Sequence, residues 1–163
     1  MQDELIKRWN NKVKSDNDHI YILGDFAFNG SNLSVDDINN IVKELKGKKH
    51  LIIGNHDQFI NKKDFKQGLW EEIVPYKELV DNSDKVIMNY KAELIENRNV
   101  VLFHYPIENW NRTTLSVQYT YTGHLHSNPT KLYQDNRYNV GCDLWNYEPV
   151  TLKEIIEQSY SKS

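Results

Sequence analysis

Cysteine is nearly missing from this chain. Its 163 residues include one, Cys142, which excludes an internal disulfide and a cysteine-built zinc site. A reducing, cytoplasmic setting is the expectation. Long apolar runs are missing too, and none approaches the roughly 20 residues of a membrane span. The opening MQDELIKRWN is amphipathic and acidic near its start, unlike a secretory signal. Nor is there a basic excess. A net charge of −3 leaves no footprint for an extended nucleic acid. A phosphate substrate stays open, because a bound cation can supply positive charge. Repeats, low-complexity tracts and Pro/Gly/Ser-rich linkers are absent, so residues 1–163 read as one domain. With 39% hydrophobic and 26% charged residues, that domain is globular.

What is present begins with helix and strand in alternation. Leu5, Ile6, Trp9 and Val13 recur at helical spacing, which predicts an amphipathic helix over 3–14. HIYIL (19–23) is a short apolar run ending at Gly24, the pattern of a buried strand. SVDDINNIVKELKG (34–47) reads as a helix, with Ser34 as N-cap, Asp37 as its capping-box partner and an apolar stripe of Ile38, Ile41, Val42 and Leu45. HLII (50–53) is a second buried strand, and residues 61–69 read as a short helix. Beyond residue 72 the chain turns to strands. IVPYKELV, KVIMNYKAELI, NVVLFHY and SVQYTYTG are separated by polar turns, and KLYQDNRYNVG adds a hairpin. TLKEIIEQ (151–158) closes the chain as a helix with Thr151 and Glu154 in capping-box positions. This order predicts an α/β protein with helices outside a mixed sheet system, and sites beyond the carboxyl ends of strands.

The residues at those ends carry the chemistry. Gly24-Asp25 follows the first strand, Gly54-Asn55-His56-Asp57 the second, His104 a third, and Gly123-His124-Leu125-His126 a fourth. Four of the six histidines lie there, whereas His19 and His50 precede their strands and read as ordinary surface or strand-start residues. Each fragment alone has a bland reading. Gly-Asp is usually a turn, Asn and Asp favour turns, and a lone His is often structural. Their joint occurrence after successive strands points instead to a metal site. Carboxylate and imidazole suit zinc, iron, manganese or nickel. Asp25 offers two oxygens that can bridge two cations, Asn55 a neutral amide oxygen, and His104, His124 and His126 ring nitrogens. The i, i+2 spacing of His124 and His126 puts both on one face of an extended segment.

The ordered set GD, GNHD, H and GHxH resembles the calcineurin-like metallophosphoesterases across residues 20–145. HYPIENW and YNVGCDLWNYEPVTLKEI are similar to segments of the small single-domain bacterial and phage members. The resemblance implies a four-layer αββα sandwich and a dinuclear metal centre. It implies that Asp25 bridges the ions, that Asn55, His104 and His124 complete one site, and that His126 belongs to the other. His56 is implied as a proton donor beside the scissile phosphate, with Asp57 either orienting it or capping a turn. Phosphate mono- or diesters, nucleotides included, are the implied substrates.

The family pattern also has an earlier strand ending in Asp-x-His, which this sequence lacks, so an N-terminally truncated fold is expected. One metal site then keeps Asp25, Asn55, His104 and His124, and the other only Asp25 and His126. The rival reading is a non-catalytic module of the same fold that binds a metal or a partner. A zinc amidase is argued against by the GNHD and GHLH combination. Arg112 and Asn29 are candidate substrate contacts. The aromatics Tyr105, Trp110, Trp145 and Tyr147 are candidates for stacking or for loop packing, and Asn139 and Asp143 read as structural first. Open sheet edges leave homo-oligomerisation as an expectation, with no membrane partner.

Overall fold

A computed structural model describes residues 2–27, 32–74, 77–80, 85–88, 90–95, 98–104, 119–122, 133–134 and 137–161. The helices are α1 (Gln2–Lys12), α2 (Val35–Glu44) and α3 (Leu152–Ser161). Three parallel strands, β1 (His19–Ile22), β2 (Lys48–Ile52) and β3 (Glu72–Val74), form one sheet with β2 in the centre. A hairpin pairs β4 (Lys77–Val80) with β5 (Lys85–Met88). The remaining strands are β6 (Tyr90–Ile95), β7 (Arg98–Phe103), β8 (Tyr119–Thr122), β9 (Tyr133–Gln134) and β10 (Arg137–Asn139). They make a mixed sheet in the order β6-β7-β8-β10-β9, in which β7, β8 and β10 run parallel. Helices around a parallel and a mixed sheet are the α/β class that the sequence pattern implies.

Strand β2 shows why the layers form. Its Leu51 and Ile52 are both fully buried, yet successive side chains of a strand face opposite ways. Leu51 joins Ile38 and Val42 of α2, with Phe59 and Trp70, in a core on one face of the parallel sheet. Ile52 joins Val100 and Leu102 of β7, Tyr138 of β10, and Leu152 and Ile155 of α3 in a core between the two sheets. A strand buried on both faces has no polar alternation, which is why HLII reads as a continuous apolar run.

The two capping boxes are present. Ser34 Oγ accepts from Asp37 N–H at 3.1 Å while the Asp37 carboxylate accepts from Ser34 N–H at 2.8 Å. The Ser34 hydroxyl, which donates to the Asp37 carboxylate at 2.6 Å, and then the Ser34 N–H hold that carboxyl below its ordinary value. Thr151 and Glu154 repeat the exchange at 3.3 and 2.8 Å. Helix α1 is attached differently. None of its residues is buried, and it is fastened by polar contacts at its flanks. Arg8 donates to the Asn146 carbonyl and side-chain oxygen, Trp9 to the Lys46 carbonyl, and Asn10 to the Glu44 carbonyl. Lys12 pairs with Glu154.

Two expectations are corrected. Residues 61–69 are not a helix, since the segment holds short 3-10 turns at Gln58–Asn61 and Gln67–Leu69. Its apolar residues Phe65 and Leu69, flanked by Phe59 and Trp70, fold as a loop over the α2-side core, and Gly68 breaks the run. His50 is not a strand-start residue. It lies inside β2 and is 5% exposed, because the strand begins two residues earlier than its apolar run.

Ile52 ties the parallel sheet to the mixed one. Truncating a fully buried Ile leaves a cavity, so Ile52→Ala should lower unfolding free energy by roughly 2–5 kcal/mol in a urea titration, with an unchanged dependence on urea.

Candidate metal centre

Parallel pairing sets the site. Ile22 stands opposite Leu51, so β1 and β2 release their chains at the same sheet edge. The segments Leu23-Gly24-Asp25 and Gly54-Asn55-His56-Asp57 therefore leave side by side. Gly24 adopts φ +81° and Asp25 φ +55°. The second value is a left-handed conformation that a side chain tolerates poorly. The two loops also approach too closely for side chains at their glycines. A Cβ on Gly24 would lie 2.5 Å from His104 Nδ1 and 2.7 Å from the Gly54 backbone. A Cβ on Gly54 would strike the Asp25 carboxylate and come within 2.9 Å of His104 Cε1.

Asp57 fastens the loops together. It is 1% exposed, and its oxygens accept N–H groups from Gly54 at 2.8 Å, Asp25 at 2.8 Å and Phe26 at 2.7 Å. His56 adds a reciprocal tie, its backbone N–H donating to Asp25 Oδ1 at 2.8 Å. Asp57 thus acts on the backbone of both loops. The sequence pattern leaves Asp57 as an orienter of His56 or a turn cap; its clasp on the Gly24–Phe26 segment joins stretches distant in the chain and leaves no local signal. Burial pushes the Asp57 carboxyl up to about 6, against the pull of the Gly54, Asp25 and Phe26 N–H groups.

His104 arrives from the other sheet, at the end of β7, and is fully buried. Its Nδ1–H donates to the Leu23 carbonyl at 2.6 Å. That bond fixes the tautomer of a neutral ring and leaves Nε2 as an acceptor. Nε2 faces Asn55 Oδ1 at 3.1 Å and Asp25 Oδ2 at 3.4 Å. With the ring neutral, Nε2 brings a lone pair to two oxygens, a donor set that a cation can bridge. Two ligands about 2.1 Å from one ion and at right angles stand roughly 3 Å apart, so these separations fit a shared divalent ion. The donor set of carboxylate, imidazole and amide oxygen suits a first-row metal. The Leu23 carbonyl is the outer partner that orients the imidazole, and a backbone atom gives no residue-type signal for it.

Among the described residues, no group of three His, Cys, Asp or Glu gathers around one point. Asp25 and His104 are a pair, completed by the Asn55 amide. The remaining expected ligands, His124 and His126, lie outside the described residues, as do Arg112, Asn29, Tyr105 and Trp110. Strand β8 ends at Thr122, directly before Gly123, and its Tyr121 stands opposite Leu102 of β7. The chain therefore leaves β8 beside the strand that delivers His104. Asn139 has a structural role, its Oδ1 accepting the Gly141 N–H at 2.8 Å and its carbonyl the Trp145 Nε1–H at 3.3 Å. Trp145 packs against the inter-sheet core, and Tyr147 is exposed.

The raised Asp57 carboxyl has a consequence for stability. The folded chain takes up this proton near pH 6 and the unfolded chain near 3.8, so acidification through that window favours folding. Above pH 6 the buried anion costs about 3 kcal/mol relative to an unshifted group. In chelator, unfolding free energy should therefore carry a contribution from Asp57 that rises as pH falls from about 6 to 4, and Asp57→Asn should remove it. Urea titrations at three pH values read the difference in slope.

The sequence matches the calcineurin-like phosphoesterase family over residues 2–140. No curated protein matches the chain. Among solved structures, a protein of unknown function from Aquifex aeolicus is similar in fold, with a TM-score of 0.59 and 23% identity over 96% of this chain and 84% of that one. The family match runs from α1 to the carboxyl end of β10 and takes in every strand end that carries a candidate ligand, so the chain belongs to the calcineurin-like phosphoesterases.

Proposed function

We propose that the protein is a metal-dependent phosphoesterase acting on phosphate mono- or diesters, small nucleotides among them. The approach of Asn55 Oδ1 and Asp25 Oδ2 to the same nitrogen, His104 Nε2, is the observation that carries this reading. A divalent ion held there supplies charge for the phosphoryl oxygens and a nucleophile from water near neutral pH. His124 and His126 are the residues proposed to add further ligands. Manganese, iron, zinc and nickel all suit the donors, and two ions are proposed if a further carboxylate and imidazole join.

The chain's own part in the reaction is positioning and proton movement. Leu23 O holds the His104 ring by its Nδ1–H, so Nε2 cannot turn away. Asp57 and the His56 N–H hold Asp25 in its left-handed conformation. His56 follows Asn55 directly and is half-buried. We assign it the proton that the leaving alkoxide needs. Arg112 and Asn29 are proposed substrate contacts. No helix of the described residues is long and apolar enough to cross a membrane.

Leaving-group dependence tests the assignment. An alkoxide needs a proton on departure and a nitrophenolate barely does. With added manganese, His56→Ala should slow an alkyl phosphodiester at least about 100-fold and a nitrophenyl diester far less, since general acid catalysis contributes about 10²–10⁴. Equal losses on both substrates would remove His56 from that role. Absence of any metal-stimulated hydrolysis by the wild-type chain would favour the rival reading, a non-catalytic metal-binding module.

A further inference from the structure

The parallel sheet carries a second polar group at its opposite end. Near the amino ends of β1, β2 and β3, each strand contributes one side chain to a ladder: His19, His50 and Glu72. They share the face that holds Tyr21, Ile52 and Val74, the side of the core between the sheets. His50 Nδ1 lies 2.9 Å from Glu72 Oε2, and His50 Nε2 lies 2.8 Å from His19 Nδ1. The His50 ring is locked between neighbours, stacked on Tyr21 at 4.7 Å and on His19 at 5.0 Å between centroids.

The proton positions follow from the partners. A carboxylate only accepts, so His50 Nδ1 donates to Glu72. A neutral His50 then accepts at Nε2, so His19 Nδ1 donates to it. His19 Nε2 is left with its lone pair, on an exposed residue. Nucleophile, base and orienting carboxylate thus stand within hydrogen-bond reach of one another in sequence, the signature of an activated nucleophile.

We propose that His19 Nε2 is a phosphoryl-acceptor site, taking the phosphoryl group of a phosphoramidate donor. The Nε2 lone pair forms a new N–P bond as the N–P bond of the nitrogen-protonated donor breaks, and neutral ammonia leaves with that electron pair. Positive charge developing on the His19 ring is relieved by proton transfer from its Nδ1 to His50 Nε2, and from His50 Nδ1 to Glu72 Oε2. Lys48 stands opposite His19 in the strand register, with its Nζ 4.0 Å from Glu71 Oε1. The site is separate from Asp25, Asn55 and His104, and its chemistry does not depend on a metal.

Phosphoramidate labelling in chelator, followed by peptide mass spectrometry under alkaline conditions, reads it directly. His19 should be phosphorylated before His56. Glu72→Gln, which keeps an acceptor for His50 but removes the charge, should slow His19 labelling about tenfold. His19 labelled no faster than His56, or Glu72→Gln labelled at the wild-type rate, would overturn the proposal and leave the ladder a fastening between strands. If Glu72→Gln does not fold, folded and urea-unfolded wild type carry the test, because the advantage of His19 over His56 must vanish on unfolding.

Discussion

Asp57 accepts three backbone N–H groups from two separate chain segments, and the candidate centre hangs on that grip. A left-handed Asp25 costs about 1–2 kcal/mol relative to an ordinary conformation. Hydrogen bonds to a charged acceptor contribute about 1.5–3 kcal/mol each. Burial costs the Asp57 anion more than those bonds return, which is why its carboxyl rises to about 6, and what the three bonds fix is the geometry of the loop. The glycines at 24 and 54 are the steric half of the same constraint. They let the two loops touch, and His104 from the other sheet then sits over the contact with one nitrogen tied to Leu23 and the other turned to Asn55 and Asp25.

Much of this was legible in the sequence, for stated reasons. The apolar runs at 19–23 and 50–53 give buried strands because a central parallel strand has no polar face. Ser34, Asp37, Thr151 and Glu154 give helix starts because capping is local chemistry. Asp25, Asn55 and His104 could be nominated because each follows a strand, and parallel strands bring such positions to one edge. What escaped depends on contacts between distant segments. The reach of Asp57 to Phe26, the hold of Leu23 O on His104, and the burial of His50 by Tyr21 and Glu72 leave no pattern in neighbouring residues. The segment 61–69 forms two short 3-10 turns in place of a helix because its shape is set by packing of Phe65 and Leu69 on the α2-side core.

The parallel sheet concentrates polar chemistry at both ends while its middle stays apolar. At the carboxyl end, the oxygens of Asp25 and Asn55 approach His104 Nε2, the donor set proposed to hold a cation. At the amino end, His19, His50 and Glu72 satisfy one another through shared protons. The two groups use the same residue types to opposite effect.

Calorimetric titration of the purified chain with manganese tests the central claim most directly, since Asp25, Asn55 and His104 are proposed to hold a divalent ion. The account predicts saturable binding that is lost in both Asp25→Ala and His104→Ala, with the parallel sheet still folded. A folded wild-type chain that takes up no manganese, zinc, iron or nickel, or binding that survives both substitutions, would contradict it.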